Sequence, residues 1–226
     1  LLLKLPVSVQ TDPLSWIDTF FTATSAVCVT GLIVVDTGTV FSRFGQVVIL
    51  LLIQIGGLGV MTLSVLLFQM AGRKMFFHQR MAVQDMLIHT PQVDILKVVK
   101  NIVLITLCIE SVGAVLLTLF WCRTLPLHQA AYTAVFHSIS AFCNAGFSLF
   151  SDSLVSGGNS FLLNATVASL IVIGGIGFSV LYELQNWLKL RKKKRFKFTL
   201  QLKTVLVTTG ILIAAGAIGF AVLEHQ

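Results

Sequence analysis

Two short stretches carry whatever chemistry this chain performs. SAVCVTGL, residues 25–32, returns 115 positions later as SAFCNAGF, residues 140–147. Ser25 pairs with Ser140, Ala26 with Ala141, Cys28 with Cys143 and Gly31 with Gly146, while the larger side chains between them change. What recurs is permissive backbone, because glycine admits conformations that a Cβ resists. Such a loop presents a row of carbonyl oxygens, which suits a small cation stripped of its water. Taken singly, Gly31 or Gly146 reads better as an ordinary turn glycine. The aligned pair favours a coordinating loop, with Val29, Thr30 and Gly31 in one copy and Asn144, Ala145 and Gly146 in the other as donors. Cys28 and Cys143 flank the donors.

Those loops sit in a membrane chain. Of its 226 residues 56% are hydrophobic and 11% charged, with mean hydropathy +0.91, well outside the range of soluble domains. Residues 44–72, 159–182 and 204–223 carry no formal charge, and 102–121 carry only Glu110. Each run reaches the roughly 20 residues that a helix needs to cross the hydrocarbon. The chain begins at Leu1 without a Met and ends at Gln226 just after an apolar run, so it reads as an internal piece of a longer protein. Cys28, Cys108, Cys122 and Cys143 lack the spacing of a zinc site or a disulfide framework and read as free thiols.

Net charge is +7, and its placement orients the chain. Thirteen of the 16 Lys and Arg fall in two clusters, within residues 73–100 and 189–203, which the positive-inside rule puts on the cytoplasmic side. A nucleic-acid role for RKKKRFK is set aside, since spanning runs flank it; contact with anionic lipid headgroups fits either reading. Between the clusters the chain must cross an even number of times. Residues 15–27 and 127–142 are then short apolar helices that dip in from outside and return as loops. Non-helical backbone survives at that depth only inside protein or along a water-filled cavity, which points to a pore. The dipole of each dipping helix puts partial negative charge at its C-terminal end, where a cation is favoured.

The repeat extends beyond the loops. IGGLGV at 55–60 matches IGGIGF at 173–178, offset now by 118, the extra residues lying near SGGNS in the exterior loop. Gly56, Gly57 and Gly59, with partners Gly174, Gly175 and Gly177, read as close-packing positions between helices. The expected fold is an all-α integral membrane chain of tandem helix–pore-loop–helix repeats around a central ion pore. Residues 1–80 form the first repeat, its outer helix truncated, with a pore helix at 15–27, a filter loop at 28–32 and an inner helix at 44–72. Residues 94–190 form the second, with an outer helix at 95–121, a pore helix at 127–142, a filter loop at 143–147 and an inner helix at 159–188. Residues 199–226 are the truncated outer helix of a third, and closing a ring of ligands asks for four.

FFTATSAVCVTGLIVVDTGTVFSRFGQVVILLLIQIGGLGVMTL closely resembles the first repeat of the Trk/Ktr/HKT superfamily of potassium uptake proteins, and SISAFCNAGFSLFSDSL resembles the second. The likeness covers essentially the whole chain, and its compact layout looks more like the KtrB branch than TrkH. It implies one chain of four repeats with a glycine in each filter loop, here Gly31 and Gly146, holding transported potassium. It also implies a plasma-membrane homodimer on a cytoplasmic ring of nucleotide-binding regulatory subunits of the KtrA or TrkA kind. No cofactor is implied beyond potassium, with sodium as an activator.

Three carboxylates remain to be placed. Glu110, acidic inside a spanning run, divides evenly between a structural hydrogen bond and an electrostatic role near the ion path. Asp36 and Asp152 follow the loops on the outer side, where they concentrate cations or cap loops; Asp36 aligns with Ser151, one position out of register, which favours capping. His137 aligns with Thr22 and reads as a packed histidine. No enzyme constellation is present. The alternative to a channel-like pore is a secondary cation transporter, sodium-coupled or sodium-selective, with broken helices. Repeats running in the same direction favour the pore.

Overall fold

The computed structural model describes residues 2–10, 14–59, 95–190 and 199–224. Among them the secondary structure is helical: α1 Trp16–Val27, α2 Thr37–Val40, α3 Arg43–Gly57, α4 Ile95–Trp121, α5 Leu127–Phe142, α6 Phe161–Gly175, α7 Phe178–Leu190 and α8 Leu200–Glu224. Val99–Trp121 and Leu200–Leu223 are long and apolar enough to cross a membrane, and α6 with α7 makes a third candidate if the broken pair counts as one span. The basic residues Arg73, Lys74, Arg80 and 191–197 lie outside the described residues, as does 60–72 of the first inner run.

Local chemistry sets the helix starts. Ser15 opens α1 by accepting from the Asp18 amide at 3.1 Å, and Ser42 opens α3 by accepting from the Gly45 amide at 3.3 Å. Asp36 opens α2 by accepting from the amides of Gly38 and Thr39. The N-terminal segment is pinned to the start of α3: the Ser42 amide donates to Ser8 O at 3.0 Å, and the Gln10 amide to Val40 O at 2.9 Å.

The chain falls into two compact units, Leu1–Gly175 and Ile176–Gln226. In the first, α4, α5 and α6 pack on one another, α1 packs on α3, and α3 packs on α5. Its core joins residues from both sequence copies: Ala26, Phe41, Ile49 and Ile53 with Phe136, Ala145 and Phe147. In lipid the hydrophobic effect gives little drive for helices to associate, so such contacts depend on close fit. A neighbouring cluster of Leu117, Trp121, Ala130, Ala134 and Leu163 ties α4 to α5 and α6. In the second unit Glu183 of α7 accepts from the Thr199 amide at 2.8 Å and its hydroxyl at 2.6 Å, where α8 begins.

The inner runs depart from the continuous helices that their composition suggests. The α3 helix ends at Gly57, with Gly59 at φ +79°, and α6 ends at Gly175, with Gly177 at φ +98°. The second inner run, read as one helix over 159–188, is therefore α6 and α7. A charge-free apolar run says that a segment tolerates lipid; it does not show that the segment is one helix.

Candidate functional site

The two aligned loops are built by the same hydrogen bonds. After α1 the amides of Cys28, Val29 and Thr30 donate to Thr24, Ala26 and Ser25 carbonyls at 2.8, 3.3 and 3.0 Å. After α5 the amides of Cys143, Asn144 and Ala145 donate to Ile139, Ala141 and Ser140 carbonyls at 2.9, 3.0 and 2.8 Å. The Ser25 hydroxyl donates forward to Leu32 O at 2.6 Å, and the Ser140 hydroxyl to Phe147 O at 2.7 Å. Each aligned serine thus closes its own loop.

Backbone angles repeat as well. Val29 and Asn144 sit at φ +56° and +58°, and Gly31 and Gly146 at +74° and +72°. A left-handed conformation costs a residue with a Cβ about 1–2 kcal/mol, and a β-branched one such as Val29 adopts it rarely. The amide bonds on either side hold it there. In these loops three amides apiece, those of 28–30 and 143–145, are therefore tied down. The acceptors are not: among the described residues the carbonyls at 28–31 and 143–146 accept no hydrogen bond. The loops also lie against each other, since a Cβ on Gly31 would stand 2.6 Å from Ala145 O.

Glycines behind the loops allow the approach. A Cβ on Gly56 would lie 2.0 Å from Val27 O, and one on Gly174 would lie 1.8 Å from Phe142 O, so α3 and α6 each meet the last residue of the short helix in their own copy. Gly57 instead meets the other copy, against the Cys143 side chain. Gly59 and Gly177, expected to pack, have nothing within 4 Å among the described residues, and each follows a helix end at positive φ. Gly175 approaches nothing closer than 3.8 Å.

The TrkH family model, described as a cation transport protein, matches residues 2–225. The chain belongs to this family. Its relatives include the Ktr system potassium uptake protein B of Bacillus subtilis, 43% identical over 100% of this chain and 49% of that protein. The protein of the same name from Vibrio alginolyticus is 42% identical, again over 100% of this chain and 49% of its own length. The potassium/sodium uptake protein NtpJ of Enterococcus hirae is 35% identical over 93% of this chain and 46% of that protein. This TrkH-family chain therefore spans about half the length of the curated relatives it matches. It is a membrane protein.

The carboxylates of this TrkH-family chain occupy three different settings. Glu110, 4% exposed on α4, accepts from Gln54 Nε2 of α3 at 3.1 and 3.3 Å. Burial works to raise the Asp36 carboxyl, but hydrogen bonds from Ser151, Thr39 and Gly38 outweigh it and hold the group below its ordinary 3.8. Asp36 and its sequence counterpart Ser151 thus contact each other. Asp152 is held low by the Ser156 side chain and amide and caps the turn at Val155–Gly157. Both aspartates act as caps. His137 lies buried among Trp121, Phe136 and Phe150, with Nδ1 donating to Thr133 O at 2.8 Å and Nε2 3.0 Å from Ser148 Oγ. Cys28 is exposed, whereas Cys143 is partly covered.

Two joints were not singled out in the sequence. Gln46 of α3 accepts from the Tyr132 hydroxyl of α5 at 2.8 Å, and Gln54 holds Glu110. Their signal was polarity: Gln46 and Gln54 are amides inside an otherwise charge-free run.

Proposed function

We propose that the full-length protein takes up potassium through a channel-like pore, and that the carbonyls at 28–31 and 143–146 select the ion by replacing its water shell. The observation that carries this reading is the asymmetry of the loops: the amides of 28–30 and 143–145 are bound, the carbonyls at 28–31 and 143–146 accept nothing among the described residues, and positive φ recurs at alternate steps in both copies. A carbonyl left without a protein donor is available to a cation or to water. The potassium uptake names of the relatives support the choice of ion.

In the same reading, four such loops ring the path in the whole protein, and sodium stimulates uptake. The relatives are named as lettered proteins of a Ktr system, which supports further subunits. We propose a homodimer on a cytoplasmic nucleotide-binding ring. Copurification of the full-length protein with such subunits tests that assembly.

The deciding experiment replaces Gly31 or Gly146 by Ser in the full-length protein. Rubidium uptake is then measured with and without competing sodium, in cells lacking their own uptake systems. Potassium selectivity over sodium falls if the loops coordinate the ion. Wild-type rate and selectivity in both variants would reduce these glycines to turn residues. The helix ends at Gly59 and Gly177 favour a second reading, a sodium-coupled transporter with broken helices. It is distinguished by uptake that stops when the sodium gradient is collapsed at constant membrane potential.

A further inference from the structure

We propose that Gln54 and Glu110 form a clamp between the two sequence copies that positions the second glycine loop and so tunes its discrimination of potassium from sodium. The proposal rests on the ion-selecting role of that loop argued above. Three contacts converge behind the loop. Gln54 Nε2 on α3 donates to both Glu110 oxygens on α4, at 3.1 and 3.3 Å. The Glu110 main-chain oxygen accepts from the Ser138 hydroxyl on α5 at 2.7 Å, five residues before Cys143. Gly57, one turn beyond Gln54, receives the Cys143 side chain, and a Cβ there would meet its sulfur at 2.3 Å. One face of α3 therefore grips the second copy at two points, and both lead to the start of the loop at 143–146.

The internal repeat shows that this joint is particular. Gln54 in LIQIGG is matched by Val172 in LIVIGG, so the packing glycines recur while the amide does not. Helices with that glycine pair can therefore be built with an apolar residue at this step. Burying an amide and a carboxylate together needs a reason, since each is costly in apolar surroundings unless paired. Among the described residues Gln54 Oε1 has no partner, and the side chain's hydrogen bonds both go to Glu110. A fitted set of carbonyls discriminates ions by the size and number of its oxygens, and a loop displaced at its base loses that fit.

The test uses the full-length protein in cells lacking their own uptake systems. It compares Gln54→Val, the residue of the second copy, Glu110→Ala, Glu110→Gln, the double variant Gln54→Val/Glu110→Ala, and the swap Gln54→Glu/Glu110→Gln. Rubidium uptake gives KM, and sodium competition gives the selectivity ratio; immunoblots give membrane abundance. Gln54→Val and Glu110→Ala each lower the ratio by about threefold to tenfold, and the double variant is no worse than the worse single one, as expected for residues acting through one contact. Glu110→Gln and the swap keep the wild-type ratio: in the first the amide oxygen at 110 still accepts from Gln54, and in the swap the amide at 110 donates to the carboxylate at 54. Additive losses, a Glu110→Gln as damaging as Glu110→Ala, or a fall only in maximal rate that follows abundance would overturn the clamp. Where the truncated variants do not reach the membrane, the swap decides alone: a wild-type ratio supports the clamp and a lost ratio refutes it. Gly146→Ser is run beside them. If it lowers the ratio and the clamp variants do not, the clamp falls and the filter reading stands; if it also leaves the ratio unchanged, the filter reading has failed.

Discussion

Gly57 of α3 and Cys143 at the end of α5 are packed so closely that a methyl group on Gly57 would lie 2.3 Å from the Cys143 sulfur and 2.7 Å from its Cβ. Real Cβ atoms do not approach so near, so Gly57→Ala must push α3 away from the second loop. Overpacking of this kind costs about 1–3 kcal/mol. The expected outcome is a lowered melting temperature of the detergent-solubilised protein and reduced uptake. Cys143→Ala, by removing the sulfur, recovers part of both. A double variant no better than Gly57→Ala would show that the strain is relieved elsewhere.

The same contact separates two thiols that the sequence aligns. Cys28 is exposed, whereas Cys143 is partly covered, its side chain lying against Gly57. A small charged thiol reagent added to the full-length protein therefore modifies Cys28 faster. Uptake block follows Cys28 and disappears in Cys28→Ser, while Cys143→Ser leaves it in place. Single-cysteine variants followed by mass shift give the two rates directly. A faster rate at Cys143 would contradict the packing described.

Much of this arrangement was legible because apolar runs, glycines and repeats are local signals. The run at 127–142 coincides with helix α5, Leu127–Phe142, the aligned serines make matching hydrogen bonds, and Gly31 and Gly146 share their backbone angle. What escaped was of two kinds. The ends of α3 at Gly57 and of α6 at Gly175 were hidden because charge-free composition measures tolerance of lipid, not helical continuity. The Gln54 to Glu110 bond was hidden because its partners lie 56 residues apart. Glu110 stood out alone as costly; only the fold names what it accepts from.

Ser25 and Ser140 each satisfy a carbonyl seven residues ahead, at 2.6 and 2.7 Å. Ser140 is 2% exposed, so no solvent replaces its hydroxyl when it is removed. Ser140→Ala leaves Phe147 O without a donor, at a cost of about 1–3 kcal/mol. The loop loosens on its outer side, and sodium competes better against rubidium uptake. Ser140→Thr, which keeps the hydroxyl, should lose less. Equal selectivity in Ser140→Ala and wild type, at equal membrane abundance, would show that the bond does not shape the loop.

Asp36 links the two copies through its contact with Ser151, while capping α2 through the amides of Gly38 and Thr39. Its folded carboxyl titrates below the ordinary 3.8, so the unfolded chain binds the proton more readily than the folded one. The stability it contributes is then fully present above the ordinary carboxylate range and is lost as pH falls through the lower folded value. Asp36→Ala removes the cap and costs about 1 kcal/mol at neutral pH. Thermal unfolding of the solubilised protein should show wild type above Asp36→Ala from pH 7 down to pH ~5, with the gap closing only on acidification below about pH 4. A gap that stays constant to the lowest pH at which the protein remains folded would mean that shape, rather than the charged cap, accounts for the loss.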